Sequence, residues 1–247
     1  MTDGVRVVPL TGIPEIEAGD DLAALLAEAA ARAGGLEDAD VLVVAQKIVS
    51  KAEGRIVRLD ELEPSAQALE LAGDRDPRHV EAILQESARV IRVRPPLIIS
   101  ETRHGYVCAS AGVDASNAKG AGTLVLLPLD PDASAARLRT VLQELTGREI
   151  GIVVSDSFGR PFRQGTTDVA LGVAGISPLR DLRGARDSMG YELQATQIAI
   201  ADELAAAAEL VMGKVDGIPA ALVRGIDVRG DGSGRELVIP EERDLFR

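Results

Sequence analysis

Apolar positions in this chain follow two rhythms, and the changes between them mark its elements. "GVRVVPL" reads as a first strand, stopped by "TGIP". In "DDLAALLAEAAARAGG" the residues Leu22, Leu25, Leu26 and Ala29 recur on one helical face; Asp20 or Asp21 can cap its start and Gly34-Gly35 closes it. "DVLVVAQKIVSK" is a continuous apolar run, hence a buried strand, running into a basic end. "PSAQALELAG" and "DPRHVEAILQESARVIRV" predict two helices, with Pro77 suited to the first turn of the second. "LIISET" and "YVCASAGVD" predict strands joined by "RHG" as a hairpin turn, and "TLVLLPLD" a further strand. A helix over "DASAARLRTVLQELTG", with Asp132 or Ser134 near its start, leads to the strand "EIGIVVSD". A long Ala-rich helix from Gln194 to Met212, a late strand "IPAALVRG" and a loop "RGDGSGRE" complete the pattern. The mixture of β-α and β-β steps favours an α+β fold with a mixed sheet over a purely doubly wound one.

No repeat or low-complexity block divides the 247 residues, which read as one domain over 1–247. With three Phe, two Tyr and no Trp, the core must come from Val, Ile, Leu and Ala. A net charge of -12 argues against nucleic acid, which rewards clustered Lys and Arg. The one cysteine, Cys108, excludes an intrachain disulfide and a Cys-rich zinc site, and reads as core. "MTDGVRVVPL" is no signal peptide, and no apolar run reaches a membrane-spanning length, so the expected setting is the cytoplasm.

Familiar catalytic signatures are missing. There is no G-x-x-x-x-G-K-[ST] loop, no G-x-G-x-x-G opening a helix after the first strand, and no nucleophile elbow. Two histidines, His79 and His104, cannot build a His-rich metal site. An enzyme of this composition would work with carboxylates, hydroxyls, cationic side chains and a metal.

Two apolar strands end in such groups. "SAGVDASN" sets Asp114 before Ser116 and Asn117; "VVSDSFGRPFRQG" sets Asp156 before Ser157, Arg160 and Arg163. Hard oxygen donors of this kind suit Mg²⁺ or Mn²⁺ shared with substrate phosphates, and guanidinium groups match phosphate oxygens. Each aspartate taken alone is as readily a turn or helix cap; it is their pairing with two arginines that favours a metal-phosphate site. Lys47 and Lys51 would share a face of a helix or of a strand, and without other support form a solvated patch. "RGARDSMGYEL", with Arg183, Arg186, Asp187 and Glu192, reads as salt-bridged surface.

Taken together, "LTGIPEI", "SKAEGR", "AGVDASN", "SDSFGRPFRQG", "GARDSMGYEL" and "ADELAAAAELVMGK" followed by "GIPAALVRG" resemble the coenzyme F420-0:L-glutamate ligases, the γ-glutamyl ligases, from about Val7 to Arg224. The resemblance implies an α+β fold forming an intertwined homodimer, with nucleotide held without a Walker loop. It implies the joining of L-glutamate to F420-0 and further γ-linked additions, using GTP, Mg²⁺ or Mn²⁺, and K⁺. Carried over by position, it assigns Ile13, Pro14, Glu15, Ile16, Lys51, Asn117, Met212, Gly213 and Lys214 to the nucleotide, and Asp114, Asp156 and Ser157 to the metal. Gln46 stands where the family commonly has a hydroxyl residue, and its amide can still donate a hydrogen bond to nucleotide. Some relatives carry a reductase-like extension, for which "ERDLFR" would be the junction.

The chemistry so implied activates a carboxylate as an acyl phosphate, with Lys51, Arg160 and Arg163 offsetting the remaining charge. The same residues would suit a non-catalytic nucleotide or anion sensor, or a carboxylate-amine ligase acting on another acceptor.

Overall fold

In the computed structural model, which describes residues 4–245, the chain enters a mixed sheet at β1 (Arg6–Pro9) and crosses a loop to α1 (Leu22–Arg32). Met1 to Asp3, and Phe246 and Arg247 of "ERDLFR", lie outside the described residues. Asp21 is the residue that caps α1, accepting the Ala24 N–H at 3.1 Å. Then come β2 (Val41–Ala45), α2 (Gln46–Ala52), β3 (Ile56–Arg58), α3 (Ala66–Leu71) and α4 (Pro77–Glu86). The strands β4 (Ser87–Arg94), β5 (Leu97–Thr102), β6 (Val107–Ala109) and β7 (Thr123–Val125) precede α5 (Pro131–Thr146). The remaining elements are β8 (Gly151–Gly159), β9 (Thr166–Ala174), β10 (Arg180–Asp181), β11 (Gln197–Ile198), α6 (Ile200–Met212) and β12 (Ala220–Arg224).

The principal sheet has the order β1-β12-β2-β8-β9, and only the β2/β8 pair is parallel. Side chains alternate across a strand, so β2 feeds two cores at once. Leu42 and Val44 join Ile152 and Val154 beneath α1 and α5, while Val41 and Val43 join Val153 and Val223 beneath α6. Helices therefore cover both faces, which explains why β2 reads as an unbroken apolar run. A second layer, built on β4-β5-β6 and β3-β7 with α3 and α4, has its own core around Ile83, Ile98 and Leu124. Tyr106, Leu127 and Leu171 pack together where the two layers meet.

Several expected boundaries move. The "basic end" after β2 is the helix α2, so Lys47 and Lys51 share a helical face. The helix expected over "DPRHVEAILQESARVIRV" stops at Glu86, and Ser87–Arg94 pairs with β5, because its Val and Ile residues fill a pleated surface better than a helix. The strand expected over "TLVLLPLD" shortens to β7, and the long Ala-rich helix begins only at Ile200. Asp130, not Asp132 or Ser134, caps α5; Asp132 instead accepts hydrogen bonds from Val173 N–H, Gly234 N–H and Ser233 Oγ. Those bonds, with a Ser233–Glu236 capping box, order the loop over "RGDGSGRE". The largest addition is β9, which turns the segment after Asp156 into a hairpin.

Candidate active site

The central strands β2 and β8 end side by side, and a cavity of about 370 Å³ opens there. The carboxyl ends of parallel strands are the common place for ligands in open α/β sheets. Ile13, Pro14, Glu15 and Ile16, on the loop between β1 and α1, form one wall. Gln46, Lys47 and Lys51 reach in from α2, and Asn117 from the loop before β7. Met212, Gly213 and Lys214 close it from the end of α6. All ten positions the sequence assigns to nucleotide therefore line one space.

The floor is β8. Its apolar half ends at a register shift between Val154 and Ser155, after which Ser155, Asp156 and Ser157 line the cavity. Such an irregularity re-aims side chains next to sites. Burial pushes the Asp156 carboxyl up to about 6; a hydrogen bond from the Ser157 N–H and the charge of Lys47 oppose this, and the charge of Asp168 adds to it. Asp114 is joined to this floor through Lys47, whose Nζ donates to Asp114 Oδ2 at 2.6 Å and to Ser116 Oγ at 2.6 Å. Burial raises the Asp114 carboxyl, but hydrogen bonds from Lys47 and Ser116 outweigh it and hold the group below its ordinary value.

The Lys47 ammonium thus occupies an all-oxygen nest completed by the Ser116 carbonyl at 3.1 Å. A nest that holds an ammonium ion in this way has the donor chemistry of a hard cation site. Among the described residues no three carboxylate, imidazole or thiol groups converge as a metal cage. Of the three positions the sequence assigns to metal, Asp156 and Ser157 line the cavity, whereas Asp114 is not among its lining residues and is joined to it through Lys47. Carboxylate and hydroxyl oxygens such as those of Asp156 and Ser157 are of the kind that Mg²⁺ accepts together with water and substrate phosphates.

The other cationic groups divide. Lys51 is buried and ion-paired with Glu15 across the cavity wall. Gln46 is also buried: its Oε1 accepts from Ser50 Oγ at 2.9 Å, and its Nε2 has no hydrogen-bond partner among the described residues. Arg160 and Arg163 lie outside this wall, exposed at the turn of the β8–β9 hairpin, where Arg160 donates to the Gln164 carbonyl at 2.9 Å. Arg183 pairs with Asp181, and Arg186 lies 3.8 Å from Glu192, so "RGARDSMGYEL" is the salt-bridged surface its composition suggests. Cys108 is buried, its thiol pushed up to about 12 by burial, with the charge of Asp156 adding to the shift.

Sequence reasoning left Ser155, Asp168 and Glu209 unassigned, and all three line the cavity. The readable signal for Asp168 was the run "TTDVALGVA", whose β-branched residues after Gly165 mark a strand returning beside β8.

Residues 12–225 match the family described as F420-0:Gamma-glutamyl ligase. The coenzyme F420:L-glutamate ligase of Methanothermobacter thermautotrophicus is 49% identical over 251 residues, covering 99% of each chain. The enzymes of that name from Methanopyrus kandleri and Archaeoglobus fulgidus are 47% and 45% identical, each covering 98% of this chain and 98% and 96% of their own. A match that runs through every wall of the cavity, from Ile13 to Pro219, places this chain in the F420-0:γ-glutamyl ligase family.

Proposed function

We propose that this protein is a GTP-dependent coenzyme F420-0:L-glutamate ligase that also adds further γ-linked glutamates. The observation that carries this reading is the meeting, in one cavity, of lysines from α2 with the Ser155-Asp156-Ser157 floor of β8. Cationic and oxygen-donor walls facing each other suit a polyphosphate and its counter-ion.

In the proposed reaction an F420-0 carboxylate attacks the γ-phosphorus of GTP, the bond to the bridging oxygen breaks, and GDP departs. The α-amine of glutamate then attacks the acyl phosphate carbon, an amide bond forms, phosphate leaves with the C–O bonding pair, and the amine proton passes to water. Lys47, Lys51 and Lys214 offset phosphate charge from two sides, and the Gln46 amide donates to an acceptor on the nucleotide. Asp114, Asp156 and Ser157 would hold Mg²⁺ or Mn²⁺, which supplies charge neutralisation during in-line transfer. K⁺ would serve as an additional counter-ion. Arg160 and Arg163, at the hairpin turn, would meet the anionic substrates as they approach.

No helix is long and apolar enough to cross a membrane among the described residues, and the proposed setting is the cytoplasm. The proposed state is a homodimer: Met189 and Tyr191 stand exposed on the arm between β10 and β11, and a second copy would cover them.

Incubation with F420-0, GTP, Mn²⁺ and L-glutamate, followed by mass spectrometry, tests the reading. Products heavier by one or more glutamyl residues, with GDP released in equal amount, are expected. GTP binding with no glutamylated product would instead identify a sensor, and product with a different carboxylate only would identify a ligase for another acceptor.

A further inference from the structure

Asp168 is a charged residue in the middle of a strand, only 5% exposed, and paired directly across from Ser157 in the β8–β9 ladder. Its two carboxylate oxygens are taken by two different hydroxyls. Ser157 Oγ donates to Oδ1 at 2.7 Å, and Ser155 Oγ donates to Oδ2 at 3.0 Å. All three residues line the cavity, and Ser155 is fully buried.

A cross-strand fastening needs no charge, since paired serines or threonines hydrogen-bond across an antiparallel ladder. Burying a carboxylate is costly unless partners hold it. Here it is buried close enough to Asp156 for the two charges to interact, so the wall concentrates negative charge instead of dispersing it. Two neutral hydroxyls satisfy the hydrogen bonding of Asp168 without cancelling its charge. What the arrangement does accomplish is to decide where two protons point. A serine hydroxyl has one proton and two lone pairs. Once the proton is committed to Asp168, the lone pairs are all that Ser157 can offer to the cavity.

We propose that Asp168 is the positioning residue of this site: by accepting the Ser155 and Ser157 protons it locks Ser157 Oγ as an oxygen donor aimed at the divalent cation. The inference rests on the reading of Ser157 as a cation ligand under the proposed function. Partners that orient a ligand in this way are worth about 10–100-fold in metal affinity.

The test is a double-mutant cycle read by Mn²⁺ binding, without turnover, using electron paramagnetic resonance in the presence of a non-hydrolysable GTP analogue. Asp168→Ala should weaken Mn²⁺ binding about 10–100-fold. Asp168→Asn keeps the shape and one acceptor, should fold as the wild type by thermal unfolding, and should weaken binding in the same direction by less. A purely electrostatic effect of Asp168 on Mn²⁺ would persist in a Ser157→Ala background, whereas loss of positioning would not. The Ser157→Ala, Asp168→Asn double variant is therefore expected to bind Mn²⁺ about as well as Ser157→Ala alone. Wild-type affinity in both Asp168 variants would overturn the inference. Losses that multiply in the double variant would make Asp168 an independent electrostatic or direct ligand, and would overturn it too. Failure of the wild-type protein to bind Mn²⁺ at all would overturn the metal reading itself, and this inference with it.

Discussion

Lys47 Nζ lies 2.6 Å from Asp114 Oδ2, and this one ion pair ties α2, packed under the principal sheet, to the loop that precedes β7 in the second layer. Asp114 also accepts from the Ser116 N–H at 2.7 Å and from Ser116 Oγ at 2.8 Å. Its carboxylate is thus held by a cation and two neutral donors, with side-chain exposures of 12% for Lys47 and 37% for Asp114. The pair is a structural tie as well as part of the candidate site.

Asp114→Asn should accordingly weaken the fold as well as the reaction. Removing the charge leaves a largely buried ammonium poorly compensated, at a cost of about 1–3 kcal/mol. The folded carboxyl sits below its ordinary value, so its stabilising effect is present above the unfolded value near ~4 and is lost as pH falls through the folded one. Urea unfolding at pH 7 should show the variant less stable, and the difference should shrink under acid conditions. Equal stability at both pH values would show that the tie contributes nothing.

Asp156 should behave with the opposite sign. Burial lifts its carboxyl to about 6, so the folded state favours the proton. The contribution of Asp156 to stability is greatest below the unfolded value near ~4 and is lost as pH rises through about 6. In a chelator-treated sample at pH 8, Asp156→Asn should be more stable than the wild type by on the order of 2 kcal/mol, while its ligase activity falls below detection. The stability gap should close near pH 4. A gap that stays constant with pH would remove the burial argument.

These two aspartates show how far residue order could be read. The motifs bring Ile13 to Ile16, Gln46, Lys51, Asn117 and Met212 to Lys214 into one cavity because each sits at a loop or helix end, where few contacts compete to decide its place. The hairpin was hidden because "GRPFRQG" is polar and interrupts the apolar signal between β8 and β9, although both strands are buried through their inner halves. The β4 boundary was hidden because nothing between Glu86 and Ser87 breaks a helix; the pairing with β5 decides it. Lys47 and Asp114 are separated by 67 residues, and only the packing of two layers brings them together. Long-range pairings of this kind leave no periodic trace in one sequence.

Gly172 makes a prediction about the frame behind the site. A Cβ at this position would lie 2.2 Å from the Pro131 carbonyl carbon, where β9 passes the start of α5. Backbone cannot rotate away as a side chain can, so Gly172→Ala should destabilise by about 3 kcal/mol. Chemical denaturation measures this directly. A loss under ~0.5 kcal/mol, the range of an ordinary surface change, would mean that α5 shifts freely against the sheet.

Arg160 and Arg163 test whether the proposed nucleotide and acceptor bind at separate places. Both are exposed at the hairpin turn and away from the walls that hold Lys51 and Gln46. Replacing both with alanine should leave GTP affinity within about 2-fold, while the KM for F420-0 rises about 10-fold or more through lost contacts to an anionic substrate. Titration with a fluorescent GTP analogue and steady-state kinetics give the two quantities. A matching loss of GTP affinity would place these arginines on the triphosphate instead.

Gln46 gives a direct test of the proposed nucleotide site. The Ser50 hydroxyl fixes its carbonyl oxygen at 2.9 Å, which leaves the amide NH₂ of this cavity-lining residue as a buried donor without a partner among the described residues. A buried donor left unpaired costs about 1–3 kcal/mol. Binding an acceptor there would recover that cost. Gln46→Met keeps the volume and removes the unpaired donor, but it also takes the acceptor from the buried Ser50 hydroxyl, so the two costs offset and the nucleotide-free protein should stay within about 1 kcal/mol of the wild type. Its GTP affinity should fall about 10-fold, the equivalent of one lost hydrogen bond. Ser50→Ala releases the amide to rotate and should lower GTP affinity by a smaller factor in an otherwise intact protein. Urea unfolding without nucleotide, paired with GTP titration, separates the two effects. Unchanged GTP affinity in Gln46→Met would show that the nucleotide takes nothing from this amide.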